Sequence, residues 1–395
     1  MGCAEPAQRD ESTHEGLKDV ATMKRHDYPV AEPEIGEEEL QNVVEAVRSS
    51  WISGKGRFVD RFEDSFAKYI GVECGAAASS GTAALHLALA ALDIGPGDEV
   101  IVPDLTFAAT INAVMYTGAR PTLVDVNPEY WCIDIAKIEE AITPRTKAII
   151  PVHLYGHPCD LDGVMEIAQR RGLYVIEDCA EAHGAEYRGK KAGSRGHVAC
   201  YSFYANKVIT TGEGGMCLTN DGRLSKKIRI LRDHGMSPER RYWHETVGFS
   251  YHMTNLQAAI GLAQLEKVER FIEKRRQMAK LYAEELSHVD GITLHPEMSW
   301  AKCIYWLYSI LVDETEVKVS RDLLAERLRE KRIDTRNLFY PLHEMPLYQK
   351  YGVSAYPASS RISNRGISLP SSTKLGEEDV VFIAQRVRKS LETIW

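Results

Sequence analysis

Short apolar runs alternate with segments of helical periodicity between residues 71 and 215. The apolar runs contain few polar positions and occupy residues 99–103, 120–126, 147–154, 173–178 and 199–203. The helical segments between them occupy residues 81–92, 107–117, 134–142 and 161–171. Strands without polar alternation, separated by helices, are typical of a parallel sheet that helices cover on both faces. The pattern therefore predicts a large α/β domain with three layers, α/β/α.

A different pattern follows this alternation. A long helix is predicted over 255–286, then a strand over 306–312, and further helices over 321–331 and 377–391. This order predicts a smaller α+β domain, with the long helix as its connector to the large domain. Residues 1–28 show no period and are rich in charged and small residues, which predicts a flexible extension.

Length and composition agree with a protein of two domains. The chain has 395 residues, of which 44% are hydrophobic and 26% charged, and a domain typically takes roughly 150 residues. This composition excludes collagenous and largely disordered classes. We expect a large domain over 29–265 and a smaller C-terminal domain over 266–395.

Charge and cysteine usage limit the partners and the compartment. The net charge is −8, so no overall positive field attracts nucleic acid or an anionic membrane. No apolar stretch approaches the roughly 18 residues of a membrane span, and the first thirty residues lack the apolar segment of a signal peptide. The eight cysteines form no CxxC pair, which favours a reducing compartment. We therefore expect a cytoplasmic protein that binds neither nucleic acid nor membrane.

Candidate chemistry lies just past the predicted strands, where ligands bind in open α/β sheets. Ser80, Gly81 and Thr82 open a helix, so backbone N–H groups, hydroxyl groups and the helix dipole could together bind an anion. An ordinary helix cap is the alternative. Phe107 follows another strand, where its ring could lie on a planar ligand or simply belong to the core.

An acid and a lysine follow two further predicted strands. Asp178 ends the run YVIED, where a carboxylate could hold a metal, a ribose hydroxyl or a protonated ring nitrogen, or could be a solvated turn acid. Lys207 stands between an aromatic strand and the glycine-rich GEGG segment. Desolvation there would lower its pKa and yield a neutral amine able to attack carbonyl groups.

These four features together match the needs of pyridoxal phosphate chemistry: an anion site, an aromatic face, an acid for the pyridine nitrogen and a lysine.

Other chemistry has weaker support. The sequence lacks GxGxxG after a strand, which argues against an NAD-dependent oxidoreductase, and it lacks a GxSxG motif. His153 and His157 fall in a predicted strand and turn rather than on one helix face, and no metal site is predicted.

Five segments resemble those of the DegT/DnrJ/EryC1/StrS family of pyridoxal-phosphate-dependent nucleotide-sugar aminotransferases. They are SSGTAALHLAL, VIVPDLTFAATINAV, VIEDCAEAHGA, YSFYANKVITTGEGGM and MTNLQAAIGLAQL. The resemblance covers about residues 29–395 and implies the fold-type I architecture of the aspartate aminotransferase superfamily. It also implies that Lys207 is the Schiff-base lysine that moves the proton during transfer. Family dehydratases have His at this position, so Lys207 favours amino transfer over dehydration.

The resemblance assigns further cofactor contacts. It implies that Asp178 pairs with the pyridine nitrogen, that Phe107 stacks on the ring, and that Glu181 lies near the phenolic oxygen. It also implies that the phosphate is held by Gly81, Thr82 and Ser202, next to Ser80. The family motif G-x-N-x-R-M supplies an Asn from the neighbouring subunit, whereas here Ser250 and His252 replace the Asn and the Arg. A serine donates one hydrogen bond but lacks the second group of the amide.

Within the family, three segments most resemble the GDP-perosamine synthases: VAEPEIGEEE, SSWISGKGRFVDRFE and IDTRNLFYPLHEMPLY. The resemblance implies a homodimer with shared active sites, L-glutamate as amino donor and GDP-4-keto-6-deoxymannose as acceptor. It would place the following residues near the sugar nucleotide, several of them from the partner chain: Trp51, Ser53, Arg336, Phe339, Tyr340 and His343. Domain-interface packing or a surface ion pair is the alternative for these residues. A UDP- or dTDP-linked 3- or 4-keto sugar, or a non-catalytic regulator that binds pyridoxal phosphate, also stays open.

Overall fold

The computed structural model describes residues 28–352 and 355–392. Residues 1–27 of the predicted extension lie outside the described residues. The strands are β1 (Cys74–Ala78), β2 (Glu99–Pro103), β3 (Arg120–Val124), β4 (Thr146–Ile149), β5 (Tyr174–Asp178), β6 (Glu186–Tyr187), β7 (Lys190–Lys191), β8 (Val198–Ser202), β9 (Gly215–Thr219), β10 (Ile292–Thr293), β11 (Ala301–Lys302), β12 (Tyr308–Val312), β13 (Arg336–Asn337) and β14 (Gly366–Leu369).

The described α-helices are α1 (Glu37–Arg48), α2 (Arg57–Ile70), α3 (Gly81–Ala91), α4 (Ala108–Tyr116), α5 (Ile135–Ala141), α6 (Leu161–Arg171), α7 (Gly222–Arg232), α8 (Asn255–Glu266), α9 (Val268–Leu286), α10 (Glu314–Val317), α11 (Arg321–Glu330), α12 (Pro357–Arg365) and α13 (Glu377–Leu391). Short 3₁₀ turns occur at Leu154–Gly156, Leu342–Glu344 and Gln349–Tyr351. None of the described helices combines the length and the apolarity that crossing a bilayer requires.

A seven-stranded sheet with the order β1-β9-β8-β5-β4-β2-β3 forms the centre of the large α/β unit. The five predicted strands are present, and the predicted run 147–154 continues past β4 to a parallel bridge between Val152 and Asp178 before it turns at Leu154–Gly156. The five predicted strands pair in parallel, as the apolar runs predicted, whereas β9, which was not among them, is antiparallel to both of its neighbours. The reason is the connection: a loop rather than a crossover helix joins β8 to β9, so the chain returns in the opposite direction.

Helices cover both faces of this sheet, as the apolar runs predicted. Every residue of β2, β8 and β9 is buried. Because side chains alternate along a strand, Val100 and Val102 pack with helices α3 and α4 on one face, while Ile101 packs in the core on the other face. Burial on both faces explains why these strands show little polar alternation.

The predicted helix 255–286 is two helices, which corrects the single connector. The helical backbone is interrupted at Lys267 (φ −102°, ψ −4°), between α8 and α9. Residues on most sides of α8 are buried, whereas α9 has a buried side and a polar side. The Lys267 Nζ also binds the carboxylates of Glu38 and Glu39, both at 2.8 Å, at the start of α1.

A second, four-stranded antiparallel sheet follows, with the order β10-β12-β14-β13. Helices α9, α11 and α13 pack on it through the apolar residues of their buried sides. Strand β13 lies at an edge of this sheet and pairs with β14, which places Arg336 at the mouth of the cavity described below. The domain boundary at residue 265 stays a prediction.

Candidate active site

A cavity of about 680 Å³ lies at the carboxyl ends of β2, β5 and β8. Parallel strands bring residues that are distant in the sequence to one edge of the sheet, which is where open α/β sheets bind ligands. The cavity collects most of the residues that the sequence predicted for cofactor and substrate. They are Ser80, Gly81, Thr82, Phe107, Asp178, Glu181, Ser202, Lys207, Arg336 and Phe339.

Lys207 lies in the loop between β8 and β9, with only 10% of its side chain exposed. Its Nζ is 3.5 Å from Glu181 Oε1 and 3.8 Å from the centre of the Trp306 ring. Burial lowers the pKa of the Lys207 ammonium, although the charges of Glu181 and Asp178 act in the opposite direction. Burial in this loop thus shifts the amine towards the neutral form, which a nucleophilic lysine requires.

Asp178 is the last residue of β5 and is buried beneath the cavity. Its Oδ2 accepts a hydrogen bond from Thr110 Oγ1 at 2.9 Å, and its Oδ1 accepts one from the Ala180 N–H at 3.1 Å. Burial raises the pKa of the Asp178 carboxyl, while these two hydrogen bonds lower it. Two donors fixed on one carboxylate hold it in a single orientation, which suits a group that must face a ring nitrogen.

Glu181 lies one turn beyond Asp178, and it too is buried. Its Oε2 accepts a hydrogen bond from the Tyr155 N–H at 2.8 Å, and its Oε1 faces Lys207. Burial raises the pKa of Glu181 to about 7, against the opposing charge of Lys207. The cavity therefore holds a carboxyl group that can gain or lose a proton near neutral pH beside the reactive amine.

The start of α3 closes the cavity next to the end of β8. Ser80 caps this helix, because its Oγ accepts a hydrogen bond from the Ala83 N–H at 3.1 Å. A Cβ at Gly81 would lie 2.7 Å from the Ser202 Cβ, so only glycine allows the helix to approach the strand this closely. N–H groups of a first helical turn and hydroxyl groups of Ser and Thr form a typical phosphate site. The residues present therefore fit pyridoxal phosphate.

Phe107 and Phe339 form an aromatic boundary of the cavity. Their ring centres are 5.6 Å apart, and 58% of Phe107 is exposed. An exposed ring at the start of a helix can cover the face of a planar ligand. Arg336 lies beside these rings and supplies positive charge at the mouth of the cavity.

Five predicted residues do not line this cavity. Trp51 and Ser53 lie in the exposed segment before α2, and Trp51 borders a separate concavity with Lys55 and Arg57. Ser250 and Tyr340 are exposed, whereas His343 pairs through Nδ1 with the buried Asp104 at 2.7 Å. Their roles at a shared active site stay predictions.

Sequence reasoning missed several residues of the cavity and its surroundings, among them Thr110, Asn206 and Trp306, which line it, and Tyr155, which contacts Glu181. Thr110 could have been found, since it stands in the first turn of the predicted helix 107–117, just past a strand end, where open α/β sheets bind ligands. Trp306 comes from a distant segment, and its Nε1 donates to the Asn206 carbonyl at 2.7 Å. Nothing local in the sequence indicates that contact.

Three potential metal ligands lie within 4.8 Å of one another behind Asp178: His153, Glu177 and Cys179. Their polar atoms already have protein partners. His153 Nε2 is 3.0 Å from Glu177, and its Nδ1 accepts from the Cys159 N–H. Glu177 also accepts backbone N–H groups from the segment 193–196. This buried network of His153 and Glu177 fixes the loop before β8.

Comparison with known proteins shows which family the chain resembles. The model of the DegT/DnrJ/EryC1/StrS aminotransferase family matches residues 33–388. The GDP-perosamine synthase of Caulobacter vibrioides is 47% identical over 352 residues, which are 89% of this chain and 95% of that protein. The GDP-perosamine synthase of Escherichia coli O157:H7 is 44% identical over 362 residues, 91% of this chain and 98% of that protein.

Solved structures show the same fold. The PLP form of the putative sugar aminotransferase Spr1654 from Streptococcus pneumoniae superposes with a TM-score of 0.86 at 29% identity, over 92% of this chain and 98% of that chain. The predicted fold-type I class, the enzyme class and the cofactor are confirmed, and the alternatives of an oxidoreductase and of a non-catalytic regulator are set aside. The chain belongs to the DegT/DnrJ/EryC1/StrS aminotransferase family and is a transaminase that depends on pyridoxal phosphate.

Proposed function

We propose that this enzyme transfers the amino group of L-glutamate to C4 of GDP-4-keto-6-deoxy-D-mannose and so forms GDP-perosamine. The observation that carries the reaction type is the buried Lys207 amine, set between Glu181 and the Trp306 ring and close to Asp178. The choice of sugar rests on the two relatives named GDP-perosamine synthase, which match over almost their whole length.

The residues of the cavity would have separate roles in this reaction. The cofactor phosphate would be held by Ser80, Gly81, Thr82 and Ser202, and the cofactor ring would be covered by Phe107. When bound, pyridoxal phosphate supplies an electron sink that stabilises negative charge on the carbon next to the transferred nitrogen. The Asp178 carboxylate would keep a proton on the pyridine nitrogen and so maintain that sink.

Lys207 would move the proton that amino transfer requires. Its neutral amine can remove a proton from the amino donor, and its ammonium form can return a proton to the sugar carbon. Glu181 would exchange a proton with this amine at 3.5 Å, at a pKa matched to neutral pH. The Trp306 ring covers the amine and keeps water from it.

We further propose a homodimer in which each subunit completes the site of the other. Large apolar side chains are exposed around the mouth of the cavity and on the segment before α2, including Phe107, Tyr340 and Trp51. Exposed aromatic residues of this size are typical of protein interfaces. In this arrangement five residues would take their predicted positions near the cofactor and sugar nucleotide: Trp51, Ser53, Ser250, Tyr340 and His343.

The seven described cysteines are free thiols, in agreement with a cytoplasmic enzyme.

The test is amino transfer by the purified enzyme loaded with pyridoxal phosphate. L-glutamate is combined with a panel of GDP-, UDP- and dTDP-linked 3- and 4-keto sugars, and products are identified by mass spectrometry. We expect amination of GDP-4-keto-6-deoxymannose, and none by a Lys207→Ala variant that keeps its fold by circular dichroism. Preferred amination of a UDP- or dTDP-linked sugar, or the absence of transfer to any keto sugar, would overturn the proposal.

A further inference from the structure

Tyr155 occupies an unusual backbone position next to the cavity. It lies in the turn that follows β4, with φ +50° and ψ +20°, and the adjacent Gly156 has φ +95°. Few residues other than glycine adopt this left-handed conformation, and those that do cluster at functional sites. The side chain is 2% exposed, so burial in the core holds the residue in this conformation.

Three separate hydrogen bonds connect Tyr155 to three walls of the cavity. Its N–H donates to Glu181 Oε2 at 2.8 Å, and its carbonyl accepts from the Trp306 N–H at 3.1 Å. Its hydroxyl oxygen accepts from the Phe339 N–H at 2.9 Å. The phenol ring also stacks on Phe339, with ring centres 5.3 Å apart, and on Trp306 at 6.1 Å. Tyr155 therefore contacts Glu181, Trp306 and Phe339 at the same time.

We infer that Tyr155 is a positioning residue that sets the segment 336–340 relative to the proton-transfer groups. The inference rests on the function proposed above. Glu181 and Trp306 surround the Lys207 amine, whereas Phe339 belongs to the segment that carries Arg336 to the mouth of the cavity. Tyr155 thus links the groups that move the proton to the residues that would contact the sugar nucleotide, without itself lining the cavity.

The hydroxyl group has a separable role within this arrangement. The backbone contacts to Glu181 and Trp306 do not depend on the side chain, and the stacked ring remains in Tyr155→Phe. That variant removes only the acceptor of the Phe339 N–H, which loses its partner in a half-buried position. The segment 336–340 should then become mobile while the surroundings of Lys207 stay intact.

The experiment compares wild type, Tyr155→Phe and a matched control, Tyr187→Phe. Tyr187 is equally buried, and its hydroxyl accepts from the Asp162 N–H at 3.3 Å and donates to Asp160 at 2.7 Å, away from the cavity. Hydrogen exchange followed by mass spectrometry is measured on the apoenzyme for peptides that contain residues 336–340. Steady-state rates are measured separately for the amino donor and for GDP-4-keto-6-deoxymannose.

In Tyr155→Phe we expect exchange in 336–340 to be faster by about fivefold, which corresponds to one lost hydrogen bond of about 1 kcal/mol. The KM for the sugar nucleotide should rise about tenfold, while the rate of the half-reaction with the amino donor stays within about threefold of wild type. Tyr187→Phe should change neither quantity.

Unchanged exchange in 336–340, or equal losses in both half-reactions, would overturn the inference. If wild type does not aminate this sugar, the proposed function fails, and the exchange result still decides whether Tyr155 orders the segment.

Discussion

At the scale of single residues, the chemistry of this cavity follows from burial. Asp178, Glu181 and Lys207 are each removed from water, and for each of them desolvation is the largest effect on the pKa. Desolvation disfavours the charged forms, so the two acids become weaker acids and the lysine a weaker base. Hydrogen bonds from Thr110 and Ala180 to Asp178, and from the Tyr155 N–H to Glu181, act in the opposite direction because they favour the carboxylates.

Glu181 makes the stability of the apoenzyme depend on pH. Its pKa is about 7 in the folded protein, against an ordinary value of 4.5. The folded protein therefore binds this proton more tightly than the unfolded chain, and stability falls as pH rises from about 4.5 towards 7. Between about pH 6 and about pH 8, we expect wild type to lose about 1 kcal/mol of unfolding free energy relative to Glu181→Gln.

Urea denaturation of the two apoenzymes at several pH values measures this difference. Gln keeps the size of the side chain but does not titrate, and both proteins retain Lys207, so the remaining groups largely cancel. A difference that is constant across the pH range would show that Glu181 does not change its protonation in this window. A difference of opposite sign would mean that the folded state stabilises the carboxylate rather than the acid.

At the scale of elements, the site depends on where strands end and how they are connected. The apolar runs predicted β2, β5 and β8, and with them the positions of Phe107, Asp178 and the loop that carries Lys207. The sequence did not predict β1 and β9. Strand β1 consists of Cys, Gly and three Ala residues, whose preference for strands is weak, and its pairing with β9 comes from residues about 140 positions away.

The same distinction applies to the cavity. Residues that carry charge or supply a helix start could be proposed from local sequence, because their chemistry is visible in the residue type. Trp306 and Tyr155 could not, since each contributes through contacts with segments far away in the chain. Long-range contacts of this kind are decided by the packing of the two sheets, which periodicity does not describe.

Gly81 tests the contact between the start of α3 and the end of β8. In Gly81→Ala the new methyl group would lie 2.7 Å from the Ser202 Cβ, so the helix start must move away from the strand. We expect a loss of about 1–3 kcal/mol in unfolding free energy from overpacking. We also expect about tenfold weaker binding of pyridoxal phosphate, because the phosphate donors separate. Urea denaturation and absorbance titration with the cofactor measure the two effects.

Gly222→Ala is the matched control for this variant. Gly222 is likewise the first residue of a helix, α7, and a Cβ there would have no neighbour within 4 Å. Stability should stay within about 0.5 kcal/mol of wild type, and cofactor binding should not change. If both variants weakened the cofactor equally, the cause would lie in glycine at a helix start in general rather than in the contact with Ser202.

At the scale of the whole molecule, the acidic chain must bind anionic ligands locally. The net charge is −8, yet the proposed substrate carries a diphosphate and the cofactor a phosphate. The positive groups that line the cavity in the described structure are Lys207 and Arg336. Further donors would have to come from another surface, and Ser250 is exposed, outside the cavity of its own chain. A second subunit that brings its Ser250 to this cavity would complete the phosphate site.

Mixing two variants that are each expected to be inactive tests this sharing of sites. Ser250→Asp would place a carboxylate against the phosphate in the partner's cavity and repel it, whereas Lys207→Ala inactivates the cavity of its own chain. A mixed dimer then has one cavity with both defects and one with neither. After the variants are unfolded and refolded together, random pairing makes half of the dimers mixed, so activity should recover to roughly a quarter of wild type.

The control mixes Lys207→Ala with Asp178→Asn. Both residues line the same cavity of one chain, so each site of every dimer, mixed or not, contains one defect. No recovery is expected from that pair, and this excludes traces of wild-type enzyme or exchange of cofactor as the source of activity.

The mixture of Ser250→Asp with Lys207→Ala could also fail to restore activity although mass spectrometry detects mixed dimers. Ser250 would then act in its own chain or not at all. If Ser250→Asp alone kept full activity, Ser250 would not contact the phosphate, and the missing donors would have to be sought elsewhere on the partner, beginning with Trp51 and Ser53.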